Sequence, residues 1–239
     1  MQIRIGLENR VEGRSIAWAL DHPGCFAYGK DAAEALLNVP RAVLAHVNWL
    51  GLHTVENWLA DLGDFDVRLV ETFEVYTINE RYESAAEGYE VNAWFRNDWK
   101  PLTRLEVNRA LDMLAWSRSD LLELVKPLSV EVLDEKRPEE RWSIRGILGH
   151  VATAEWWYLD RLGLTSLARA DLPKDVFDRL ALIRASLVEA LPGLAGAEQV
   201  VGRNGEFWSP RKLVRRALWH ERDHYFHILR LSMEPPLPS

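Results

Sequence analysis

Gln2–Leu7 and Ser15–Leu20 alternate polar and apolar positions, the period-two signature of half-buried strands. Between them, Glu8-Asn9-Arg10-Val11-Glu12-Gly13 predicts a hairpin loop. Asp21-His22-Pro23-Gly24 has turn chemistry, and Cys25–Tyr28 is expected as a short third strand. After Gly29, Asp31 with Glu34 three residues on predicts the capped start of an Ala/Leu-rich helix. Pro40 is expected to kink or split that helix. A second helical stretch, Leu52–Leu62, is predicted to stop before Gly63, and Val67–Ile78 reads as a further strand.

From residue 103 onward the apolar period changes to that of amphipathic helices. Thr103-Arg104-Leu105-Glu106 is a capping box opening a helix to about Val125, before Pro127. Ser143 caps a second, to about Leu162, and a third runs from near Pro173 to Pro192-Gly193. Ser209, with Pro210 at the favoured first position, opens a fourth that Pro235-Pro236 should stop. Four helices with apolar stripes make an antiparallel bundle the expected arrangement. The stretch between the halves, Thr77–Lys100, has no clean helical period but carries Tyr82, Tyr89, Trp94, Phe95 and Trp99. So apolar a connector should dock, either as interdomain glue or as a flap over a site; Tyr89–Phe95 is a candidate edge strand. The expected organisation is therefore α+β in two domains: 1–76, a connector at 77–102, and a helical domain at 103–239.

Composition narrows the function classes. The 239 residues include one cysteine and 11 tryptophans among 24 aromatics. A single cysteine excludes a disulfide scaffold and any multi-cysteine zinc or iron–sulfur site. Cys25 reads as a packed strand residue, since no base nearby would lower its pKa. No apolar run approaches the ~18 residues a membrane span needs, and Met1-Gln2-Ile3-Arg4-Ile5 lacks a signal-peptide core, so a cytoplasmic protein is expected. Residues 1–100 hold 16 acids and 9 bases, whereas residues 101–239 hold 20 of each. Neither half has the basic excess that binds phosphate backbones, which argues against nucleic acid as a partner. The run Arg211, Lys212, Arg215 and Arg216 is expected as a solvated face, or else as a greeting for an anionic substrate.

Pro23-Gly24-Cys25-Phe26-Ala27-Tyr28-Gly29 followed by Asp31-Ala32-Ala33-Glu34-Ala35-Leu36-Leu37-Asn38 resembles the HicB-like antitoxin fold. There a P-G-C-x-x-x-G turn and strand precede an E-A-x-x-N helix. The resemblance covers about 40 residues and implies a small β-β-β-α-β domain. No ribbon-helix-helix or helix-turn-helix candidate follows it, so repression is not implied.

The chemistry lies in the histidines of the second half. Trp142-Ser143-Ile144-Arg145 and Trp208-Ser209-Pro210-Arg211 open two helices alike. His150, His220 and His224 then fall close to whole turns from those tryptophans. His220 and His224, four apart, can reach one ion, and a facing helix can supply His150. Three neutral imidazoles leave an open position, as in catalytic rather than structural sites. With His220 at zero on the helical wheel, the apolar stripe covers about 20° to 140°, which puts the histidines on the rim of the core.

Helix angles also bury two charges. Glu155 projects among Ile144, Leu148, Val151 and Leu162, and Arg118 among Val107, Leu114, Leu121 and Val125. A lone buried charge is costly, so the two are expected to pair. They would either fix helix register or, with Glu155 acting beside the metal, assist chemistry. Glu155 points about 140° from His150 around the helix, which disfavours the second role. Asp223 and His227 are the other candidates near the ligands; His227 is expected to be exposed. His46 and His53 read as packing or surface residues, and His22 as part of a turn.

Trp142-Ser143-Ile144-Arg145-Gly146-Ile147-Leu148-Gly149-His150-Val151-Ala152-Thr153-Ala154-Glu155, with Trp219-His220-Glu221-Arg222-Asp223-His224, resembles the DinB/YfiT superfamily of four-helix-bundle proteins. In that family a histidine on the second helix and an HxxxH on the fourth bind a divalent metal, which implies His150, His220 and His224 as ligands here. Zinc or nickel is the first expectation, with iron or manganese also suited to three histidines. The resemblance implies a metal-dependent enzyme acting on a small molecule, either a hydrolase or a transferase or isomerase that uses a low-molecular-weight thiol. The other reading is a non-catalytic metal- or metabolite-binding protein with the HicB-like domain as its partner-binding module. Such bundles often dimerise, so a homodimer is an expectation too.

Overall fold

The computed structural model describes residues 1–233; Pro235 and Pro236, expected to stop the last helix, lie outside the described residues. The fold is α+β, with an N-terminal sheet and a C-terminal helical region. It divides into two compact units, one formed by residues 1–100 with 200–212, the other by 101–199 with 213–239. Residues 77–100 thus fall within the first unit, and so does a short segment from late in the chain.

In the first unit, β1 (Gln2–Val11), β2 (Arg14–Ala19) and β3 (Phe26–Gly29) form an antiparallel meander. They are followed by α1 (Ala32–His53) and β4 (Asp66–Glu74), which pairs parallel to β1 and completes a sheet of order β3-β2-β1-β4. Ile3, Ile5 and Leu7 alternate onto one face and meet Ala35, Val39 and Val43 of the helix. Asp31 caps α1 by accepting from the Glu34 amide, as its sequence predicts.

The structure corrects three sequence expectations here. The hairpin loop is shorter than residues 8–13, because β1 continues to Val11. Glu8 is fully buried in that strand, where its carboxylate accepts from the Trp18 indole (3.0 Å) and the Ala93 amide (2.9 Å). Pro40 does not split α1, which runs unbroken for 22 residues. The buried stripe Ala35, Val39, Val43, His46, Trp49 and Leu50 extends to both sides of the proline, and its burial outweighs the ~3 kcal/mol a helical proline costs. Finally, Leu52–Leu62 is not a second helix: Leu52 and His53 end α1, and no helix follows before β4. Leu52 and Val55 face solvent, and Asn57 binds the Val47 carbonyl and the Leu59 amide, a local turn that competes with helix.

The aromatic connector holds β5 (Thr77–Ile78) paired with β6 (Tyr89–Glu90), an extended stretch, and one 3-10 turn at Arg96–Trp99. The edge strand expected over Tyr89–Phe95 is therefore only two residues long. Val91, Ala93 and Phe95 are buried, and Phe95 lies so close to the sheet that only glycine fits at Gly6: a Cβ there would come within 2.8 Å of its ring. Trp94 stacks on Trp99 with Phe207 edge-on. Phe207 belongs to a β7–β8 hairpin (Val201–Arg203 and Glu206–Trp208) turned by Asn204-Gly205, both at positive φ. Buried Glu206 of β8 accepts from Tyr89, from the Asn92 amide and from Trp208.

The helical region contains α2 (Arg104–Val125), the short α3 (Val130–Asp134), α4 (Ile144–Arg161), α5 (Val176–Ala190) and α6 (Pro210–Met233). Thr103 and Glu106 make the reciprocal capping box on α2, Ser143 caps α4, and Asp175, two residues after Pro173, caps α5. Leu121, Val125, Ile147, Leu148, Val151, Leu180, Ile228 and Leu231 join the four long helices in one apolar core. No helix among the described residues is long and apolar enough to cross a membrane.

Candidate metal centre

Ser143 fixes the start of α4, and two turns on His150 reaches the face of α6 that carries His220 and His224. The Nε2 atoms of His150 and His220 lie 3.0 Å apart, those of His220 and His224 3.2 Å apart, and the three ligand nitrogens fall within 4.8 Å of one another. Nitrogens bound ~2.1 Å from one ion in a tetrahedral or octahedral array stand about 3.0–3.4 Å apart, so the two short separations match a shared divalent cation, while the third pair is held within 4.8 Å. The donor set fits too, being three imidazoles with no thiolate.

The surroundings restrict the rings. Trp142 stacks on His150 at 4.5 Å between centroids and 23° between planes, with the Arg141 guanidinium on the Trp142 ring. Tyr158 meets His220 edge-on, and Trp219 lies against the same imidazole at 5.6 Å. His150 and His224 are half-buried, in keeping with a rim position, whereas His220 is buried, deeper than the expected rim. Burial pushes the His220 imidazole well below its ordinary pKa, and the neighbouring His224, His150 and Arg216 push it further down. His150 is lowered as well, by burial first and then by Arg141. Both shifts keep the rings neutral, the form that binds metal.

The expected pair of Arg118 and Glu155 is present, with Nη2 to Oε2 at 2.8 Å. It is half of a four-membered network. Arg118 also donates to Glu221 (2.5 Å), and Arg184 of α5 donates to both Glu155 (2.6 and 3.0 Å) and Glu221 (2.8 Å). All four are at least nine-tenths buried. The sequence reading missed Arg184 and Glu221, although a signal for Glu221 was there. One residue after His220 it falls at about 100° on the same wheel, in the middle of the apolar stripe. His220 and Glu221 thus face two different centres from adjacent positions of one helix.

Two expectations about nearby residues are corrected. His227 is not simply exposed: half-buried, it meets Glu140 at 2.9 Å, and Arg230 binds the same carboxylate at 2.7 Å. The basic run is not a solvated face, because Arg211, Lys212, Arg215 and Arg216 are all buried. Arg211 donates to the Lys100 carbonyl, and the Lys212 ammonium to the Asn92 and Phe207 carbonyls. Arg216 lies 4.1 Å over the Trp219 ring. Asp223 is half-buried and does not join the ligand cluster. His46 and His53 flank Trp49 in α1 and His22 lies in the turn before β3, as expected, and Cys25 is packed as expected but one residue ahead of β3 rather than within it.

The family model of the DinB superfamily matches a domain at residues 113–228, a span that includes all three histidines and the four charged residues of the network. No curated protein and no solved structure matches the chain.

Proposed function

We propose that the chain is a metal-dependent enzyme of the DinB-like kind, with His150, His220 and His224 holding one divalent ion. The observation that carries this reading is the convergence of three imidazole nitrogens within 4.8 Å of one another, two of the pairs at 3.0 and 3.2 Å. On this reading residues 103–239 form an antiparallel four-helix bundle, supported by the common core of α2, α4, α5 and α6. Zinc or nickel is the expected metal, with iron or manganese as substitutes. When bound, such an ion acidifies a coordinated water or thiol near neutral pH and polarises a substrate oxygen.

The protein's own groups would position and insulate that chemistry. Trp142 fixes the plane of His150, and Trp219 and Tyr158 shield buried His220 from bulk water. The network of Arg118, Glu155, Arg184 and Glu221 locks α6 against α2, α4 and α5, which holds the HxxxH pair in register. Glu155 and Arg118 therefore act structurally, because both of their charges are consumed by the network. The reaction is hydrolysis of a small substrate, or transfer or isomerisation with a low-molecular-weight thiol. With one buried cysteine in the chain, any reacting thiol comes from outside. The scarcity of cysteine also supports a cytoplasmic location.

A specific observation supports a second, non-catalytic reading. The element order β-β-β-α-β agrees with the one that the HicB-like resemblance implies, and β4 is an edge strand with Leu69 and Val70 more than 40% exposed, a surface suited to a partner or a second copy. Cobalt substitution separates the readings. An enzyme using thiols shows a thiolate-to-cobalt charge-transfer band when a small thiol is added, and a hydrolase instead turns over ester or amide substrates. Neither response, in protein carrying a full equivalent of cobalt, would favour the binding protein.

A further inference from the structure

Next to the triad, between the start of α4 and the start of α5, lies a cavity of about 540 Å³. Its size is that of a pocket for a small molecule, well short of a nucleic-acid groove. Four cations line it, Arg145, Arg169, Lys174 and Arg179, against the single carboxylate of Asp175. That carboxylate is engaged, since it caps α5 by accepting from the Phe177 and Asp178 amides. Arg145 is also partnered, by Asp134 at 2.5 Å. Arg179 is held in place through its Nε on the Pro173 carbonyl and its Nη1 near Thr153. Arg169 and Lys174 are exposed at the rim, and neither has an ion-pair partner among the described residues. Gly149 on the facing turn of α4 leaves the floor open: the nearest atoms to an added Cβ would be Val176 and the Arg179 guanidinium, at 3.7 and 3.9 Å. His150 lines this cavity as well as the triad.

We infer that this cavity is the subsite for an anionic group, carboxylate or phosphate, of the small molecule on which the triad acts. Cations gathered around a concavity raise the positive potential within it and concentrate anions there. Because His150 belongs to both places, an occupant lies beside the metal ligands. Only the link to a molecule on which the triad acts rests on the proposed function; the charge and shape of the cavity stand without it.

The test uses benzyl phosphate, benzoate and uncharged benzyl alcohol as probes, followed by saturation-transfer NMR on the full chain. Binding is measured for the zinc-loaded protein and for a His220→Ala/His224→Ala variant. Either anion should bind at least about tenfold more tightly than the alcohol, and the tighter of the two identifies the charged group. Affinity should drop about fivefold or more in Arg169→Gln/Lys174→Gln, whose exposed positions leave folding intact, and also in Arg179→Met. Retained anion binding in the histidine variant supports the cavity whatever the zinc content shows about the triad. Equal binding of all three probes, or anion binding unchanged in Arg169→Gln/Lys174→Gln, would overturn the inference.

Discussion

Replacing Arg184 by methionine removes one cation from a closed cluster of two arginines and two glutamates, leaving Glu155 and Glu221 to share Arg118. The lost contacts are three charged hydrogen bonds of 2.6 to 3.0 Å and one to the Leu114 carbonyl. With every member at least nine-tenths buried, the remaining negative charge has little water to solvate it. Breaking a buried pair by deleting one partner costs about 3–5 kcal/mol. For a chain of this size that corresponds to a fall in Tm of about 6–20 °C. The pH dependence carries more information. In the wild type, burial alone would raise the Glu221 pKa, but Arg184 and Arg118 more than reverse this and lower it. Its stabilising contribution is therefore complete above the ordinary carboxylate pKa and is lost as pH falls through the depressed value. In Arg184→Met the surplus carboxylate favours its neutral form, so its folded pKa rises. The loss of stability should then be greatest at pH 8 and partly recovered at pH 5. Adding Glu221→Gln removes the surplus charge, and the double variant should be more stable than the sum of the single losses predicts by about 1–3 kcal/mol. Urea unfolding at both pH values, followed by far-UV circular dichroism, measures all of this. A loss under about 1 kcal/mol for Arg184→Met, or strict additivity with Glu221→Gln, would refute the closed-network account.

Three further outcomes follow from the geometry. Gly6→Ala should cost about 1–3 kcal/mol in chemical denaturation, because its methyl would press on Phe95 and Leu20 at 2.8–2.9 Å in a packed sheet. Trp142→Ala should weaken metal binding by up to about tenfold in a chelator competition, because His150 loses the ring that fixes its plane. In metal-free protein, His220 and His150 have folded pKa values below that of an unfolded histidine. Stability should therefore be full above pH 6.5 and decline as pH falls below it, a decline that His220→Ala makes shallower in pH-dependent melts.

The helical region was largely legible because its signals are local: capping residues at Thr103, Ser143 and Ser209, and an HxxxH spacing that holds wherever the helix packs. The buried charges of Arg118 and Glu155 could be read from the helical wheel for the same reason. Arg184 escaped because it flanks the stripe of Leu180, Ile183 and Leu187, and its partners come from other helices. In the first unit the errors arose where tertiary contacts override local preference. Glu8 looks like a loop residue until Trp18 and Ala93 supply its buried donors. Pro40 looks like a helix breaker until the stripe on both sides of it is buried. The β7–β8 hairpin was the avoidable omission, since Asn204-Gly205 is itself a strong turn signal.

The most direct test of the account is the metal content of the purified, reconstituted chain, measured by elemental analysis together with X-ray absorption at the metal edge. The account predicts about one divalent ion per chain, a shell containing three imidazole nitrogens near ~2.1 Å, and loss of that ion in His220→Ala and His224→Ala proteins that still fold. A wild-type protein that takes up no stoichiometric ion, or a His220→Ala variant that retains it unchanged, would contradict it.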